Sequence, residues 1–190
     1  MDIALLGGSF NPPHMGHALC ASFARTALGA RECWLLPAFR HPLGKPLLAF
    51  GHRMEMCRLL ARQLGSWAKA KDTEAQLGGE GRTVDLLEHL VSQHAGVRFG
   101  WLMGSDTVED LPLWKGFARI QALAKVVVVH RLGYPREEAV GPGLVSLSST
   151  QLRERLASRT VPEGWLPTAV ADYIQRHRLY MPGAERRQSP

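Results

Sequence analysis

The sequence predicts an α/β fold: a doubly wound, mostly parallel sheet with helices on both faces. Two observations carry that expectation. Short apolar runs of strand length alternate with segments of helical period along almost the whole chain, the pattern of strands joined by crossover helices. Three polar or glycine-rich stretches, 7–17, 104–106 and 148–153, each follow a strand-like run. In such sheets ligands bind beyond the carboxyl ends of the strands.

Taken in order, Ile3-Ala4-Leu5-Leu6 has strand length and stops at Gly7-Gly8. After His17 the period turns helical, with Leu19, Phe23 and Ala27 four apart and Gly29 placed to end it. Cys33-Trp34-Leu35-Leu36 is a second buried strand ending at Pro37. Met54, Cys57, Leu60 and Leu64 then mark an amphipathic helix before Gly65. Trp67-Ala68-Lys69-Ala70 has a weak strand pattern, and a helix from about Thr83 carries Val84, Leu87, Leu90 and Val91 on one face. Residues 97–103 form an apolar strand that ends at Gly104-Ser105-Asp106. A short helix over 117–124 leads into Val126-Val127-Val128-Val129, the plainest strand of all. Leu144-Val145-Ser146-Leu147 reads as another strand, Ser148-Ser149-Thr150 opens a helix, and Val170, Tyr173, Ile174 and His177 mark the last one. One domain over 1–181 is expected, its part from about 149 to 181 helical, with 182–190 a flexible tail. The loop at 38–52 and the stretch Leu77-Gly78-Gly79-Glu80-Gly81 read as mobile.

The chain of 190 residues is 45% hydrophobic and 21% charged, enough to bury a core and ordinary for a water-soluble fold. A formal charge of +6 and a pI of about 9.7 suit an anionic partner, without choosing among phosphorylated metabolites, nucleic acid and acidic membrane surfaces. Cys20, Cys33 and Cys57 are odd in number and widely spaced, with no CxxC pair; buried free thiols are expected. Met1-Asp2 runs directly into the first strand, with no charged leader and no long apolar run, so a cytoplasmic protein away from membranes is expected.

The segment Gly7-Gly8-Ser9-Phe10-Asn11-Pro12-Pro13-His14-Met15-Gly16-His17 has the parts of a phosphate grip. Glycines let backbone N–H groups approach an anion, Ser9 adds a hydroxyl, and His14 and His17 flank Gly16 at a helix start whose dipole already favours negative charge. A histidine pair at this spacing could also hold a metal, but no third ligand of that type lies nearby in sequence, and no protein-bound metal is expected. The second segment, Ser148-Ser149-Thr150-Gln151-Leu152-Arg153, has two compatible readings. Ser148 with Gln151 fits a helix capping box; the hydroxyls, the free N–H groups and Arg153 also make a second anion site.

Together the two segments resemble the nucleotidyltransferase superfamily that shares a His-x-Gly-His signature. Along nearly its whole length, from Asp2 to Tyr180, the chain is similar to the bacterial nicotinate-nucleotide adenylyltransferases. Gly81-Arg82-Thr83-Val84-Asp85-Leu86-Leu87 is similar to that family's Ser-x-Thr-x-Asp-Thr-Leu. Met103-Gly104-Ser105-Asp106 with Trp114, and Asp172-Tyr173-Ile174 with Leu179-Tyr180, match further signposts. The resemblance implies a Rossmann-like fold and transfer of AMP from ATP to nicotinate mononucleotide, giving deamido-NAD and pyrophosphate in NAD biosynthesis. It implies an ATP site lined by Gly7, Gly8, Ser9, Phe10, Gly104, Asp106, Ser149 and Thr150. His14, His17, Lys45 and Arg153 would act on the phosphates; Thr83, Trp114 and Arg131 would meet the acceptor. Mg²⁺ would be held mainly by ATP phosphates.

Two stretches depart from the family pattern. Its Pro-Pro-His-Lys run is replaced by Pro37-Ala38-Phe39-Arg40-His41-Pro42-Leu43-Gly44-Lys45, in which Lys45 takes the lysine's place and His41 or Arg40 are alternatives. Asp72-Thr73-Glu74 keeps the acidic pair, while Gly81 stands where a serine is usual. The alternatives are the same chemistry on nicotinamide mononucleotide or phosphopantetheine, a basic nucleic-acid-binding protein, and an inactive descendant of the fold. Against nucleic acid, no Lys-Met-Ser-Lys-Ser-like motif and no basic run beyond Arg186-Arg187 occurs. The five tryptophans are not interleaved with basic residues. Intact His14, His17 and Arg153 oppose the inactive reading. Sequence leaves monomer and homodimer equally open.

Overall fold

In the central strands successive residues are buried on opposite faces, which is why their sequences run apolar without a break. The computed structural model describes residues 1–40, 44–78 and 80–181, so the tail at 182–190 lies outside the described residues. In β1 (Ile3–Gly8) Ala4 and Leu6 join one hydrophobic cluster and Leu5 the other. β2 (Glu32–Pro37) follows the same rule, with Cys33 and Leu35 on one side and Trp34 and Leu36 on the other.

The first face is covered by α1 (Met15–Thr26), α2 (Phe50–Leu64) and the last helix, α7 (Thr168–Arg176). The opposite face is covered by α4 (Thr83–Gln93) and α5 (Phe117–Leu123). Between these helices run β3 (Ala68–Ala70), β4 (Phe99–Gly104), β5 (Lys125–Arg131) and β6 (Val140–Leu144), with α3 (Thr73–Leu77) after β3 and α6 (Ser149–Ala157) after β6. The sheet order is β3-β2-β1-β4-β5-β6, and every strand pairing in it is parallel. From β1 the chain crosses over to β2, and from β4 to β5 on the other side. The β1–β4 boundary is therefore the switch point at which a ligand cleft opens.

Four local expectations are corrected. The strand placed at 144–147 is instead β6, ending at Leu144. The reading missed it because Gly141, Pro142 and Gly143 look like breakers, yet β6 is an edge strand, where a proline's missing N–H breaks no ladder bond. In α1 the buried face is Gly16, Ala18, Cys20, Ala21 and Ala24, whereas Leu19 is exposed; small residues let this helix lie close to the sheet. The α3 helix, five residues long, is too short to show a period, and the 3-10 helix Ser105–Leu113, with Pro112 inside it, is too irregular to show one; neither was anticipated. The β4 strand begins at Phe99, and the bond from Arg98 N–H to the Asp2 carboxylate, 3.0 Å, precedes it. All three cysteines are buried and free.

Candidate active site

A cleft of about 360 Å³ lies beyond the carboxyl ends of β1 and β4. Gly7, Gly8 and Ser9 line it from the end of β1, and Trp101, Met103 and Gly104 from β4. The start of α1 contributes His14, Gly16, His17 and Cys20, and the start of α6 contributes Ser148, Ser149, Thr150 and Arg153. The two motifs, about 140 residues apart in sequence, thus face each other.

The glycines have separate duties. A Cβ on Gly7 would run into the Trp101 indole, so packing forbids a side chain there. A Cβ on Gly8 would have room, 3.6 Å from the Phe10 ring and 4.0 Å from His17 Nε2; its absence leaves that space open in front of the imidazole.

His17 sits in the first turn of α1, and its Nδ1 accepts the backbone N–H of His14 at 3.1 Å. An accepting Nδ1 puts the proton of a neutral ring on Nε2, which makes Nε2 a donor toward the cleft. The two imidazoles lie 3.8 Å apart, and Phe10 packs against the far side of His17 at 4.6 Å. Burial pushes the affinity of His14 for protons down to about 3, helped by the positive charge of Arg131. Burial, then His14 and Arg131, holds His17 well below the usual histidine range. Both rings are therefore neutral near pH 7 in the ligand-free protein. Negative charge placed between them would reverse the electrostatic part of that effect.

The start of α6 is bolted to the segment after β1. Ser148 Oγ accepts the Gln151 N–H at 3.1 Å and caps the helix. Ser149 donates to the Pro12 carbonyl at 2.9 Å, and Arg153 donates to the Asn11 carbonyl at 2.8 Å and to Thr150 Oγ1 at 3.2 Å. Both the capping and the anion-site readings are thus compatible with the geometry. Tyr180 adds a bond to Asn11 Oδ1 at 2.8 Å.

Other expected residues are less directly placed. Phe10 is 0% exposed and backs His17, so its side chain does not line the cleft. Asp106, in the first turn of the 3-10 helix, also stays off the lining and pairs with Arg131 at 3.5 Å. Arg131 does line the cleft, donates to the Leu147 carbonyl at 2.6 Å, and is close enough for its charge to act on the histidine pair. Thr83 starts α4 outside the cleft, although its neighbour Val84 lies where a Cβ on Gly116, two residues past Trp114, would meet it at 3.4 Å. Trp114 lines the cleft, half-buried, with its ring edge-on to Trp101 at 6.2 Å. Of the three candidates on the loop, Lys45 lines the cleft and Arg40 stacks on Phe39 at 5.9 Å; His41 lies outside the described residues.

Three buried polar side-chain atoms have no hydrogen-bond partner among the described residues: His14 Nδ1, Trp101 Nε1 and Asp106 Oδ1. His14 and Trp101 line the cleft, and Asp106 is beside it. Such groups are rarely left unpaired without a functional reason. Among the described residues no aspartate or glutamate lines the cleft, which offers imidazole, hydroxyl, guanidinium and backbone donors instead. That donor set suits anions. A magnesium ion fits it only as part of a nucleotide complex, held by phosphate oxygens and water.

Sequence reading missed Arg53, and it noted Glu74 only as part of an acidic pair, without a partner. Arg53 is 1% exposed and sits four and seven residues before Cys57 and Leu60, on their face of α2. That spacing was the available signal. Glu74 accepts the Phe39 N–H at 3.1 Å, and burial raises its carboxyl to about 7.

Residues 5–155 match the family model described as cytidylyltransferase-like. A Myxococcus xanthus protein named "Probable nicotinate-nucleotide adenylyltransferase" is 42% identical over 180 residues, 95% of each chain. The chain belongs to the nicotinate-nucleotide adenylyltransferase family. A Thermus thermophilus protein of the same name is 34% identical, covering 95% of this chain and all of its own. A structure titled "Plasmodium falciparum nicotinic acid mononucleotide adenylyltransferase complexed with NaAD" has a TM-score of 0.79 over 94% of this chain and 96% of that one, at 20% identity. That likeness is one of fold.

Proposed function

We propose that this protein transfers AMP from ATP to nicotinate mononucleotide, releasing pyrophosphate and forming deamido-NAD in NAD biosynthesis. The observation that carries the proposal is the meeting of 7–17 and 148–153 in one cleft, in a chain 42% identical to a named adenylyltransferase over 95% of its length.

An oxygen of the acceptor's 5′-phosphate attacks the α-phosphorus of ATP; the new O–P bond forms as the bond to the β-phosphate bridging oxygen breaks. A phosphate monoester loses its second proton near a pKa of ~6, so the nucleophile is already charged and no general base is needed. The obstacle is bringing two anions together, and the protein answers with alignment and positive potential. In this reading the Nε2–H of His17, with His14 beside it, meets the α- and β-phosphates. Arg153 and the N–H groups at the start of α6 hold the departing pyrophosphate, with Ser149 and Thr150 at their side. Lys45 closes over the phosphates from its loop. Gly7, Gly8, Ser9 and Gly104 contribute backbone surface to the ATP side, Phe10 braces His17, and Asp106 and Arg131 act as a pair near the nucleoside. Trp114 offers its indole face to the electron-poor pyridine ring, with Thr83 contributing through the 81–84 segment. Mg²⁺ would bind with the ATP phosphates and neutralise part of their charge.

We place the protein in the cytoplasm; among the described residues no helix is long and apolar enough to cross a membrane. The test is an assay of the purified protein with ATP and, separately, nicotinate mononucleotide, nicotinamide mononucleotide and phosphopantetheine, following pyrophosphate and adenylylated product. Preference for the nicotinate nucleotide is expected. Turnover of another acceptor with none of this one would overturn the assignment.

A further inference from the structure

Arg53 is a fully buried cation on α2 whose four described hydrogen bonds all run to backbone carbonyls. Its Nε donates to Leu48 at 2.7 Å, one terminal nitrogen to Ser9 at 2.9 Å and Ala38 at 2.6 Å, and the other to Phe39 at 3.3 Å. The guanidinium rests over the Phe50 ring at 5.4 Å. Burying a guanidinium is costly, and it persists only where nearly every N–H is met.

The carbonyls belong to three chain segments that sequence alone does not join. Ser9 is in the phosphate-facing segment after β1. Ala38 and Phe39 begin the loop after β2, and Leu48 ends it. That loop carries Lys45 to the lining of the cleft, where its side chain is exposed. Arg53 thus pins both ends of the Lys45 loop to each other and to the segment that faces the phosphates. Glu74 holds the same corner a second time through the Phe39 N–H.

We infer that Arg53 is a positioning residue for AMP transfer, setting where Lys45 reaches over the phosphates relative to the Ser9 segment. The inference rests on the reading of Lys45 given above. Lysine cannot replace Arg53 here, because one ammonium cannot span four carbonyls arranged for a planar fork. A misplacement of about 1 Å away from the reacting atoms can cost on the order of 100-fold in rate.

The experiment measures kcat and KM for Lys45→Ala, Arg53→Lys and the double variant, each checked for folding by thermal unfolding. Lys45→Ala is expected to lower kcat by about tenfold or more, and Arg53→Lys by a comparable factor with a smaller change in the KM for ATP. In the Lys45→Ala background, Arg53→Lys should then cost less than about twofold further, because the group it positions is gone. A purely structural Arg53 would multiply its full cost onto Lys45→Ala, and that result would overturn the inference while leaving Lys45 in place. Wild-type kcat in Lys45→Ala would overturn the reading of Lys45 and this inference with it. Should Arg53→Lys fail to fold, Phe50→Leu, which keeps Arg53 but removes the ring beneath it, takes its place in the same cycle. Non-additivity supports the inference and additivity overturns it.

Discussion

Replacing His17 by glutamine separates the chemistry of the cleft from its architecture. His17 makes one structural bond, in which Nδ1 accepts the His14 N–H at 3.1 Å. Leaving that donor unpaired costs about 1–3 kcal/mol. A glutamine at the third position of a helix reaches back to the same N–H, so His17→Gln loses only ring packing against Phe10 and His14, roughly 1 kcal/mol. The catalytic loss is larger. Removing a donor aimed at charge that develops in the transition state costs about 2.7–4 kcal/mol, or 100- to 1000-fold in kcat. Pyrophosphate release at saturating ATP and nicotinate mononucleotide measures that loss, and calorimetric unfolding measures stability. His17→Ala should show the same kcat but a lower Tm than His17→Gln, by about 2–4 °C for each kcal/mol of difference. A folded His17→Gln enzyme with kcat within about threefold of wild type would refute the role given to Nε2, since the expected loss is at least about 100-fold.

Trp114→Ala should raise the KM for the acceptor by about tenfold, the worth of one stacking contact, and leave that for ATP nearly unchanged; equal effects on both would assign Trp114 to packing alone. Glu74 gives a pH signature. Its folded carboxyl is raised from 4.5 to about 7, so between those values the folded chain keeps a proton that the unfolded chain has released. Stability therefore falls as pH rises through this window, by roughly 3 kcal/mol in all. Glu74→Gln should be the more stable protein at pH 8 and lose that advantage at pH 4, as read by denaturant unfolding. His14 works at the acid end. Its folded value of about 3 lies below the unfolded 6.5, so between those values each pH unit of acidification favours the unfolded state by about 1.4 kcal/mol, and His14→Gln should flatten that slope. Burial raises the thiols of Cys20, to about 12, and of Cys33 and Cys57. A thiol reagent at pH 8 should therefore label Cys33 and Cys57, which lie away from the cleft, only as fast as the native protein unfolds, and rapid labelling of either would contradict their burial.

Local pattern was enough for much of this protein. Ile3 to Leu6 and Val126 to Val129 are apolar on successive residues because both faces of their sheet are covered, and that property is written in the strand itself. The two segments that meet in the cleft were readable for a similar reason: a glycine pair, closely spaced histidines, and a serine cap with an arginine five residues on are each local patterns. Elements whose stability comes from elsewhere were not readable. β6 holds a proline that only an edge position tolerates, and the 3-10 helix at Ser105–Leu113 is too irregular to carry a period. Tertiary structure alone decided that Asp106 turns to Arg131, that Phe10 serves as a brace behind His17, and that Arg53 gathers carbonyls from 9, 38, 39 and 48. Those partners lie up to 44 residues apart in sequence, and a carbonyl has no residue-specific signature. The physical reason is that periodicity reports which face of an element is dry, whereas the partner a buried charge finds there is set by how separate segments meet.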